Sequence, residues 1–551
     1  MYRADILLNW FVSTLICLVL VGCSQGESNV VSGNRDGILH MVAGAEPQSL
    51  DPHVLANTSD GLIARSLFEG LVTIDPYTLA IEPGVARAWT FSEDRRRITF
   101  QLNTAARWSN GDPVTARDFV YSFERALNPK MGFQNSMEFY PIKGAEAYNR
   151  GSTDDPKKLG LLAVDDYTLE ISLENPTPYF LAILAGTAGL PVHAPTVEAF
   201  GGKYDRFTDW TRPGNLVGNG PFIMEHWRLQ RHVSVKKNEH YWDADNVGLK
   251  GVVFHAIESE LAEEKMFRAG QLHYTSFVPS AKLPLYRNLP GTPLREAPLL
   301  GTYFYMFNFH RPPVDDVRVR RALALAIDRR RLVDTLMYGS AIPSSALNPD
   351  NLIPGYDPPD LLDYDPQLAR QLLAEAGYPN GEGWPGLELI YNTTEIHRQT
   401  AVAVQQMWKD ELNIQVTLAN QEWKVFLDTV LEKNFALARM GLVAPFLDPR
   451  ALLDNFVSDS GMNNTGFSNA RYDEILLAEA PRTIDPAERM ALLKEAETIL
   501  LEEVAVVPFY TYKSKHLIQP GVRGLPGNVR DQINFKYIRL DPNVGPYQYG
   551  D

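Results

Sequence analysis

Residues 387–443 read LELIYNTTEIHRQTAVAVQQMWKDELNIQVTLANQEWKVFLDTVLEKNFALARMGLV. The stretch opens with a short apolar run, continues as a helix from about His397 to Leu412 that carries Val404 and Trp408, and reaches a second strand, IQVTLAN. A second helix, EWKVFLDTVLE, leads to a third strand, FALARMGLV. Because strands and helices alternate, this βαβαβ order predicts a parallel sheet covered by helices on both faces, and hence an α/β fold.

The segments outside this stretch mix strands and helices. Residues 89–102 are predicted to form two strands around a polar turn, and residues 165–173 alternate as a half-buried strand does. Between them, Thr115 and Asp118 predict a capping-box-like helix start. No internal repeat and no long linker is evident, and 551 residues exceed the size of one core. We therefore expect two or three domains, with the chain crossing between them more than once.

The composition is that of an ordinary globular chain, with 45% hydrophobic and 22% charged residues. The formal net charge is −15, and no long run of lysine and arginine occurs. Because nucleic acids and anionic lipid surfaces require a basic patch on their partner, the sequence argues against both as binding partners.

The first 22 residues are predicted to be a lipoprotein signal peptide. An early arginine precedes a mostly apolar run, residues 6–21, which is shorter than the ~20 residues of a membrane span. The tetrapeptide LVGC, residues 20–23, resembles a bacterial lipobox, in which the cysteine is lipidated and becomes the first mature residue. A simple leader with a free cysteine, or an uncleaved anchor, is the alternative. Cys23 would then be the one cysteine of the mature chain, and residues 23–37 are predicted to be a flexible tether.

Common catalytic motifs are absent from the sequence. No G-x-S-x-G, H-E-x-x-H or G-x-x-x-x-G-K-[ST] pattern occurs. The one G-x-G-x-x-G match, residues 381–386, contains Pro385 and precedes a strand, so it is not typical of a nucleotide site. The 11 histidines are scattered, without an i, i+4 pair or a close cluster. We therefore expect neither an enzyme nor a bound metal or cofactor.

Seven blocks follow one another along nearly the whole mature chain: EPQSLDPH (46–53), SLFEGLV (66–72), WSNGDPVTARDFVYSFER (108–125), VGNGPF (217–222), RPPVDDVRVRRALALAIDR (311–329), NTTEIHRQTAVAVQQMW (392–408) and NQEWKVFLD (420–428). In content and order these blocks resemble the extracellular solute-binding proteins of oligopeptide ABC importers, solute-binding family 5.

The resemblance implies a two-lobed α/β fold of the periplasmic-binding-protein type (class II, type C) with an additional small α+β domain. It implies the following domains: lobe one at 38–69, 195–298 and 512–551, the extra domain at 70–194, and lobe two at 299–511. Two crossings, near residues 298–306 and 506–512, would join the lobes. A hinge of this kind lets the lobes close on a polar ligand and remove it from water.

The resemblance also implies ligand contacts. In peptide-binding relatives the counterparts of Arg439 and His397 have been linked to the C-terminal carboxylate of the peptide, and the counterpart of Trp423 lines a side-chain pocket. In a regular strand Arg439, Gly441 and Val443 share one face, so that the arginine and a bare backbone would both face the cleft. The alternatives are a salt bridge to a buried carboxylate for Arg439, a plain core role for Trp423, and a solvent-facing helix start for His397.

The chain departs from the family pattern at the other end of the ligand. Peptide-binding relatives carry G-W-x-[AG]-D-Y, whose aspartate receives the α-ammonium of the peptide, and the matching position here is Pro445. Polar positions of some relatives correspond to Ala56, Met337 and Val430. Asp448 is expected to cap a turn or helix, with a substitute amine anchor as the alternative. Because proline offers neither charge nor N–H, we expect free-amine peptides to bind weakly, and the ligand to be N-blocked, modified or not a simple peptide.

These observations predict a monomeric substrate-binding lipoprotein that captures peptides or peptide-like ligands between two lobes and passes them to an ABC permease and ATPase complex. It would lie at the periplasmic or cell-surface face of a bacterial envelope, attached to the membrane through lipidated Cys23. A secreted peptidase is the alternative from another functional class, but it would need a nucleophile and a base that the sequence lacks. A chaperone-like or scaffold protein on the same fold is a third.

Overall fold

The computed structural model describes residues 27–55, 58–133 and 135–549. Its strands, in chain order, are β1 (Ile38–Gly44), β2 (Val72–Ile74), β3 (Ile81–Pro83), β4 (Ala86–Phe91), β5 (Arg97–Leu102), β6 (Leu161–Asp165), β7 (Thr168–Ser172), β8 (Phe222–Arg228), β9 (His232–Lys237), β10 (Gly251–Ala256), β11 (Leu294–Phe307), β12 (Ala341–Pro343), β13 (Leu387–Asn392), β14 (Val416–Gln421), β15 (Leu437–Val443), β16 (Val506–Leu517), β17 (Val522–Arg523) and β18 (Arg539–Leu540).

The α-helices span Asn29–Asp36, Thr58–Leu67, Ala116–Leu127, Ala145–Asn149, Phe180–Leu184, Ala194–Ala199, Glu260–Arg268, Leu283–Arg287, Val317–Leu325, Arg329–Leu336, Pro366–Glu375, Glu395–Leu412, Trp423–Leu431, Arg450–Leu453, Ala470–Glu474, Ala480–Arg482 and Pro486–Glu502. Within the described ranges, no helix is both long enough and apolar enough to span a membrane.

The stretch 387–443 forms the predicted βαβαβ unit. β13 pairs in parallel with β14 on one side and with β15 on the other, and the two intervening helices are Glu395–Leu412 and Trp423–Leu431. The complete sheet has the order β12-β16-β11-β15-β13-β14 and is mixed, because β11 runs antiparallel to both β15 and β16. The predicted parallel pairing is therefore confirmed for the three strands of this unit, and the other strands of the sheet come from distant parts of the chain.

β11 and β16 are the two long strands of the six-stranded sheet, with 14 and 12 residues. They pair antiparallel from Leu294 opposite Leu517 to Met306 opposite Val506, and the register is interrupted between Pro298 and Thr302. Both stretches that the resemblance assigns to crossings lie in these strands. The register shifts again between Tyr303 and Phe304. A sheet can bend where its ladder is interrupted in this way.

Two further sheets are separate from the six-stranded one. The first has the order β1-β10-β9-β8, with β1 parallel to β10 and the remaining pairs antiparallel. The second, β4-β5-β7-β6, is wholly antiparallel. The predicted strands in 89–102 and 165–173 are confirmed as β4, β5 and β7. The capping box is also confirmed, since the Thr115 N–H donates to the Asp118 carboxylate at 2.7 Å.

Two of the family-like blocks, 46–53 and 108–125, meet at a buried ion pair. Asp51 accepts two hydrogen bonds from the Arg125 guanidinium at 2.9 and 2.6 Å, and both side chains are almost fully buried. Burial alone would raise the pKa of the Asp51 carboxyl, but the Arg125 charge outweighs it and lowers that pKa. The pair thus ties the segment after β1 to the helix Ala116–Leu127.

The N-terminal segment corrects the predicted tether 23–37. Residues Asn29–Asp36 form a helix with Ser28 as its N-cap, and the Val30 N–H donates to the Gly270 carbonyl oxygen at 2.9 Å. Val30 is fully buried. The prediction of a flexible tether is wrong for these residues, because one apolar anchor and backbone pairing hold a segment whose composition is polar. Cys23 and the predicted signal peptide lie outside the described residues.

Candidate functional site

The predicted ligand residues lie at one edge of the six-stranded sheet. β14 and β15 both run parallel to β13, so the three strands end at the same edge. The helix that follows β13 begins there with Thr394 as N-cap, which accepts a hydrogen bond from the His397 N–H at 3.2 Å. Ligands of open α/β sheets bind at the carboxyl ends of the strands, where such loops and helix starts converge.

Arg439 occupies β15 at this edge with neutral partners. Its guanidinium carbon lies 4.6 Å from the centre of the Tyr303 ring. Nη1 donates to Asn392 Oδ1 at 3.3 Å, and Nη2 donates to the Tyr512 hydroxyl at 3.2 Å. Nε is buried and has no hydrogen-bond partner. Within the described ranges Arg439 forms no ion pair. The alternative, a salt bridge from Arg439 to a buried carboxylate, therefore does not hold among these residues.

His397 belongs to the same group of side chains. It is buried, its ring centre lies 5.7 Å from that of Tyr303, and Nδ1 is 3.3 Å from the Asn392 carbonyl oxygen. A carbonyl oxygen only accepts, so Nδ1 carries the proton. Burial, followed by the Arg439 charge, lowers the pKa of His397 to about 4. His397 is therefore neutral at pH 7, and it does not face solvent as the alternative required.

Gly441 is required for the close approach of Tyr512 to β15. A Cβ atom on Gly441 would lie 2.2 Å from the Tyr512 hydroxyl and 3.2 Å from Arg439 Nη2. Arg439 and Gly441 thus share one face of β15, as the alternation of a strand predicts. Val443, two residues further on, is 53% exposed.

Tyrosines of β11 and β16 complete the site, and the sequence reasoning did not single them out. Tyr303 and Tyr510 stack at 4.7 Å with an angle of 15° between their rings, and Tyr512 meets Tyr510 edge-on at 5.7 Å. The Tyr303 and Tyr305 hydroxyls are buried without a hydrogen-bond partner. Burial raises the pKa of Tyr303 to about 12, so it is a neutral donor. The available signal was the alternation of tyrosine in the two predicted crossings.

Trp423 lies at the start of the helix after β14, at the same edge but apart from the Arg439 group. It is 49% exposed and stacks on Phe426, with 6.0 Å between ring centres. Half of its surface is therefore open to a ligand or to solvent, and the alternative of a plain core residue does not hold.

Pro445 follows β15 and is exposed. Ala444 before it donates to the Leu300 carbonyl oxygen at 2.8 Å, and Phe446 after it stacks on Tyr179 at 4.8 Å with the rings 6° apart. The loop therefore has a defined place in the fold although its central residue presents no polar group.

Asp448, the nearest acid after Pro445, is already paired. It is buried and accepts from Arg489 Nη1 at 2.7 Å and Nη2 at 2.9 Å. It also accepts from the Arg450 N–H at 3.1 Å, at the start of a short helix. The Asp448 carboxylate is therefore already bound by Arg489 and by the N–H group at the helix start. Met337 and Val430, two of the apolar replacements, are buried, and Ala56 lies outside the described residues.

Histidines that are distant in sequence come together in the sheet of β1, β8, β9 and β10, contrary to the expected scatter. His40 Nδ1 and His255 Nε2 are 3.2 Å apart, and His232 and His273 pack beside them. Burial lowers the pKa of His40 and of His255 to about 4. In the part of the chain that the structure describes, however, no group of three or more histidine, cysteine, aspartate or glutamate side chains is placed to hold a metal ion.

Comparison with known proteins identifies the family. Residues 80–464 match the family model described as bacterial extracellular solute-binding proteins, family 5 Middle. The chain is 34% identical over 513 residues to the periplasmic oligopeptide-binding protein OppA of Escherichia coli, covering 90% of each chain. It is 33% identical over 506 residues to the E. coli protein YgiS, named a probable deoxycholate-binding periplasmic protein, covering 90% of this chain and 92% of YgiS.

The solved structures agree with the sequence relatives. The structure of the E. coli murein tripeptide-binding protein MppA matches with a TM-score of 0.78 and 34% identity, covering 91% of this chain and 98% of MppA. The architecture is accordingly the two-lobed α/β fold of periplasmic binding proteins. On the family match and on this similarity over almost its full length, the chain belongs to the bacterial extracellular solute-binding proteins of family 5.

Proposed function

We propose that this protein is the substrate-binding component of an ABC importer and captures peptides or peptide-like ligands that carry an acidic group. It acts by binding, not by catalysis, and delivers the ligand to a membrane permease and its ATPase. The observation that carries this proposal is the Arg439 guanidinium, which lies in β15 beside the carboxyl end of β13 and is surrounded by neutral partners.

The surroundings of Arg439 favour a carboxylate over a neutral group. Asn392, Tyr512 and Tyr303 orient the guanidinium without neutralising it, and Nε has no hydrogen-bond partner. A planar guanidinium with unused donors matches a carboxylate, and a charge-assisted hydrogen bond is about twice as strong as a neutral one. Neutral His397 lies beside this position and supplies an imidazole Nε2 that can accept a hydrogen bond.

The opposite end of the ligand does not carry a simple ammonium. Pro445 replaces the aspartate that the family resemblance leads one to expect, and Asp448 is held by Arg489. The relatives support this reading, because E. coli proteins 33–35% identical to this chain are named for oligopeptides, for murein peptides and for deoxycholate. Proteins at this level of identity thus bear names that refer to different ligands, and an N-blocked, modified or non-peptide acid fits the residues of this chain best.

Closure of two lobes accounts for the two long strands. We place lobe one at 38–69, 195–298 and 512–551, the extra domain at 70–194 and lobe two at 299–511. The ligand contacts Arg439, His397, Trp423, Gly441, Val443 and Pro445 then all belong to lobe two. A ligand that binds the closed form more tightly shifts the molecule toward it. Small-angle scattering curves that are identical with and without saturating ligand would contradict closure.

The protein is a lipoprotein of the cell envelope in this proposal, with a signal peptide at 1–22 and lipid on Cys23, and it works as a monomer. Cys23→Ala should abolish labelling by radioactive fatty acid and release the protein from membranes. Wild-type protein that stays on membranes without incorporating fatty acid would contradict lipidation.

Ligand recovery is the experiment that tests the function as a whole. Protein purified under native conditions is denatured, and the released small molecules are identified and quantified by mass spectrometry. About one equivalent of an acidic ligand on the wild type, strongly reduced on Arg439→Ala, is expected. Cleavage of added peptides with turnover would favour the peptidase, and denatured client proteins bound without a stoichiometric small molecule would favour the chaperone.

A further inference from the structure

The backbone around Leu300 brings two segments side by side where β15 ends. Leu300 accepts a hydrogen bond from the Ala444 N–H at 2.8 Å and donates its own N–H to the Val529 carbonyl oxygen at 2.7 Å. The N–H and C=O of one strand residue point to the same side, so Ala444 and Val529 lie on the same side of β11. Beyond the end of β15, the segment that contains Val529 therefore takes the place of β15 beside β11. Arg530 directly follows Val529, and Pro445 directly follows Ala444.

Arg530 forms no direct ion pair among the described residues, and the carboxyl group that acts on its charge is Glu138. Its side chain is half-buried, and among the described residues it forms neither a hydrogen bond nor an ion pair. The backbone around it is held by Asn528, whose Oδ1 accepts from the N–H groups of Arg530 and Gln532, each at 3.1 Å. Asn528 Nδ2 in turn donates to the Gln532 carbonyl oxygen at 2.9 Å. The loop thus presents a guanidinium without a direct ion pair on a backbone that Asn528 holds.

A second arginine and a carboxyl group stand near Arg530. Arg65 donates from Nη1 to the Ala185 carbonyl oxygen at 3.2 Å, and burial, followed by the Arg530 charge, lowers its pKa to about 10. Burial also raises the pKa of the Glu138 carboxyl to about 7, against the opposing effect of both arginines. At neutral pH the three groups therefore carry two positive charges and only part of one negative charge.

The short helix Phe180–Leu184 connects this cluster to the loop after β15 by a second route. Tyr179, directly before the helix, stacks on Phe446, and Ala185, directly after it, receives the Arg65 hydrogen bond. Five helical residues span about 8 Å. The arginine cluster and the loop that contains the proline are therefore neighbours by two independent paths.

We propose that Arg530, supported by Arg65, binds a carboxylate of the ligand beside Pro445, so that the ligand is acidic at both ends. This inference rests on the proposed function and narrows its ligand class. An ammonium at this place would lose hydration and face a positive charge, whereas a carboxylate would form charge-assisted hydrogen bonds. The absence of an aspartate at position 445 and the presence of Arg530 without a direct ion pair thus both favour a carboxylate over an ammonium at this place.

Matched peptides test the inference directly. Trialanine with a free amine, an N-acetyl cap or an N-succinyl cap differs at one end alone, which is then positive, neutral or negative, and calorimetry measures its affinity for the full mature protein. We expect the succinyl peptide to bind the wild type at least tenfold more tightly than the acetyl peptide. Arg530→Gln should remove this preference and Arg530→Lys should keep most of it. Arg231→Gln, which alters an exposed arginine between β8 and β9, should leave it unchanged.

The outcomes separate this inference from the proposed function. Equal affinity of the succinyl and acetyl peptides, or a preference that survives Arg530→Gln, overturns the role of Arg530 while binding itself supports the proposed function. Failure of all three peptides to bind the wild type overturns the peptide-like ligand class and this inference with it. Should Arg530→Gln fail to fold, Arg65→Gln replaces it, and a preference undiminished in that variant counts against the cluster.

Discussion

Replacing Arg439 by methionine is expected to weaken the binding of an acidic ligand by about 30-fold to a few thousand-fold. Removing one partner of a desolvated charge pair costs about 2–5 kcal/mol, and every 1.4 kcal/mol is about a factor of ten in affinity. Methionine keeps most of the apolar stem of the arginine side chain, so the loss reports on the guanidinium and not on packing.

The same substitution should change stability little. The bonds from Arg439 to Asn392 and Tyr512, at 3.3 and 3.2 Å, are long, and a hydrogen bond contributes about 1 kcal/mol net. The contact with the Tyr303 ring at 4.6 Å adds about 1–2 kcal/mol. These losses are offset in part because a half-buried charge without a carboxylate partner disappears. We expect the free energy of unfolding to change by less than about 2 kcal/mol.

Calorimetry with N-acetyl-trialanine and its C-terminal amide isolates the interaction. On the wild type the acid should bind far more tightly than the amide, and Arg439→Met should affect the acid alone, with a coupling energy of about 2 kcal/mol or more. His397→Ala should weaken binding less, because His397 is neutral at pH 7. A variant that weakens the acid and the amide equally, or a wild type that does not distinguish them, would refute the role of Arg439.

Three further predictions concern the amine end, the fold and acid stability. Pro445→Asp should raise the affinity for free-amine trialanine at least tenfold and leave the N-acetyl form unimproved; calorimetry showing tight, acetylation-sensitive binding to the wild type would instead mean that another acid already holds the amine. Arg125→Met should lower the free energy of unfolding in urea by about 3–5 kcal/mol, because Asp51 remains buried and charged, whereas Arg117→Met, at an exposed ion pair, should change it by less than about 1 kcal/mol. His53 is fully buried, and burial together with the Arg125 charge lowers its pKa to about 3. Because His53 binds a proton more readily in the unfolded chain, its contribution to the free energy of unfolding is complete above pH 6.5 and is lost as the pH falls toward 3. His53→Gln should therefore flatten the loss of stability between pH 6.5 and 5 by up to about 1.4 kcal/mol per pH unit, and an unchanged slope in urea titrations would contradict this.

Features that depend on near neighbours in the chain were predictable from the sequence. The βαβαβ order of 387–443, the capping box at Thr115 and the alternation in β7 all follow from side chains two to four residues apart, whose geometry is set by the helix and strand repeats. The family resemblance added the position of Arg439 and the absence of an acid at Pro445. These signals are local or motif-like, and they needed no knowledge of what lies across the cleft.

Which distant groups share a site is visible in the folded chain alone. Arg439 and Tyr512 are 73 residues apart, and Asp448 and Arg489 are 41 apart, so no period or cap in the sequence connects them. The same holds for the segments that contain Arg530 and Pro445, which meet only because Val529 and Ala444 both bond to Leu300. Such pairings are set by the order of strands in a sheet and by which buried polar groups remain to be satisfied, and both depend on the whole packed chain.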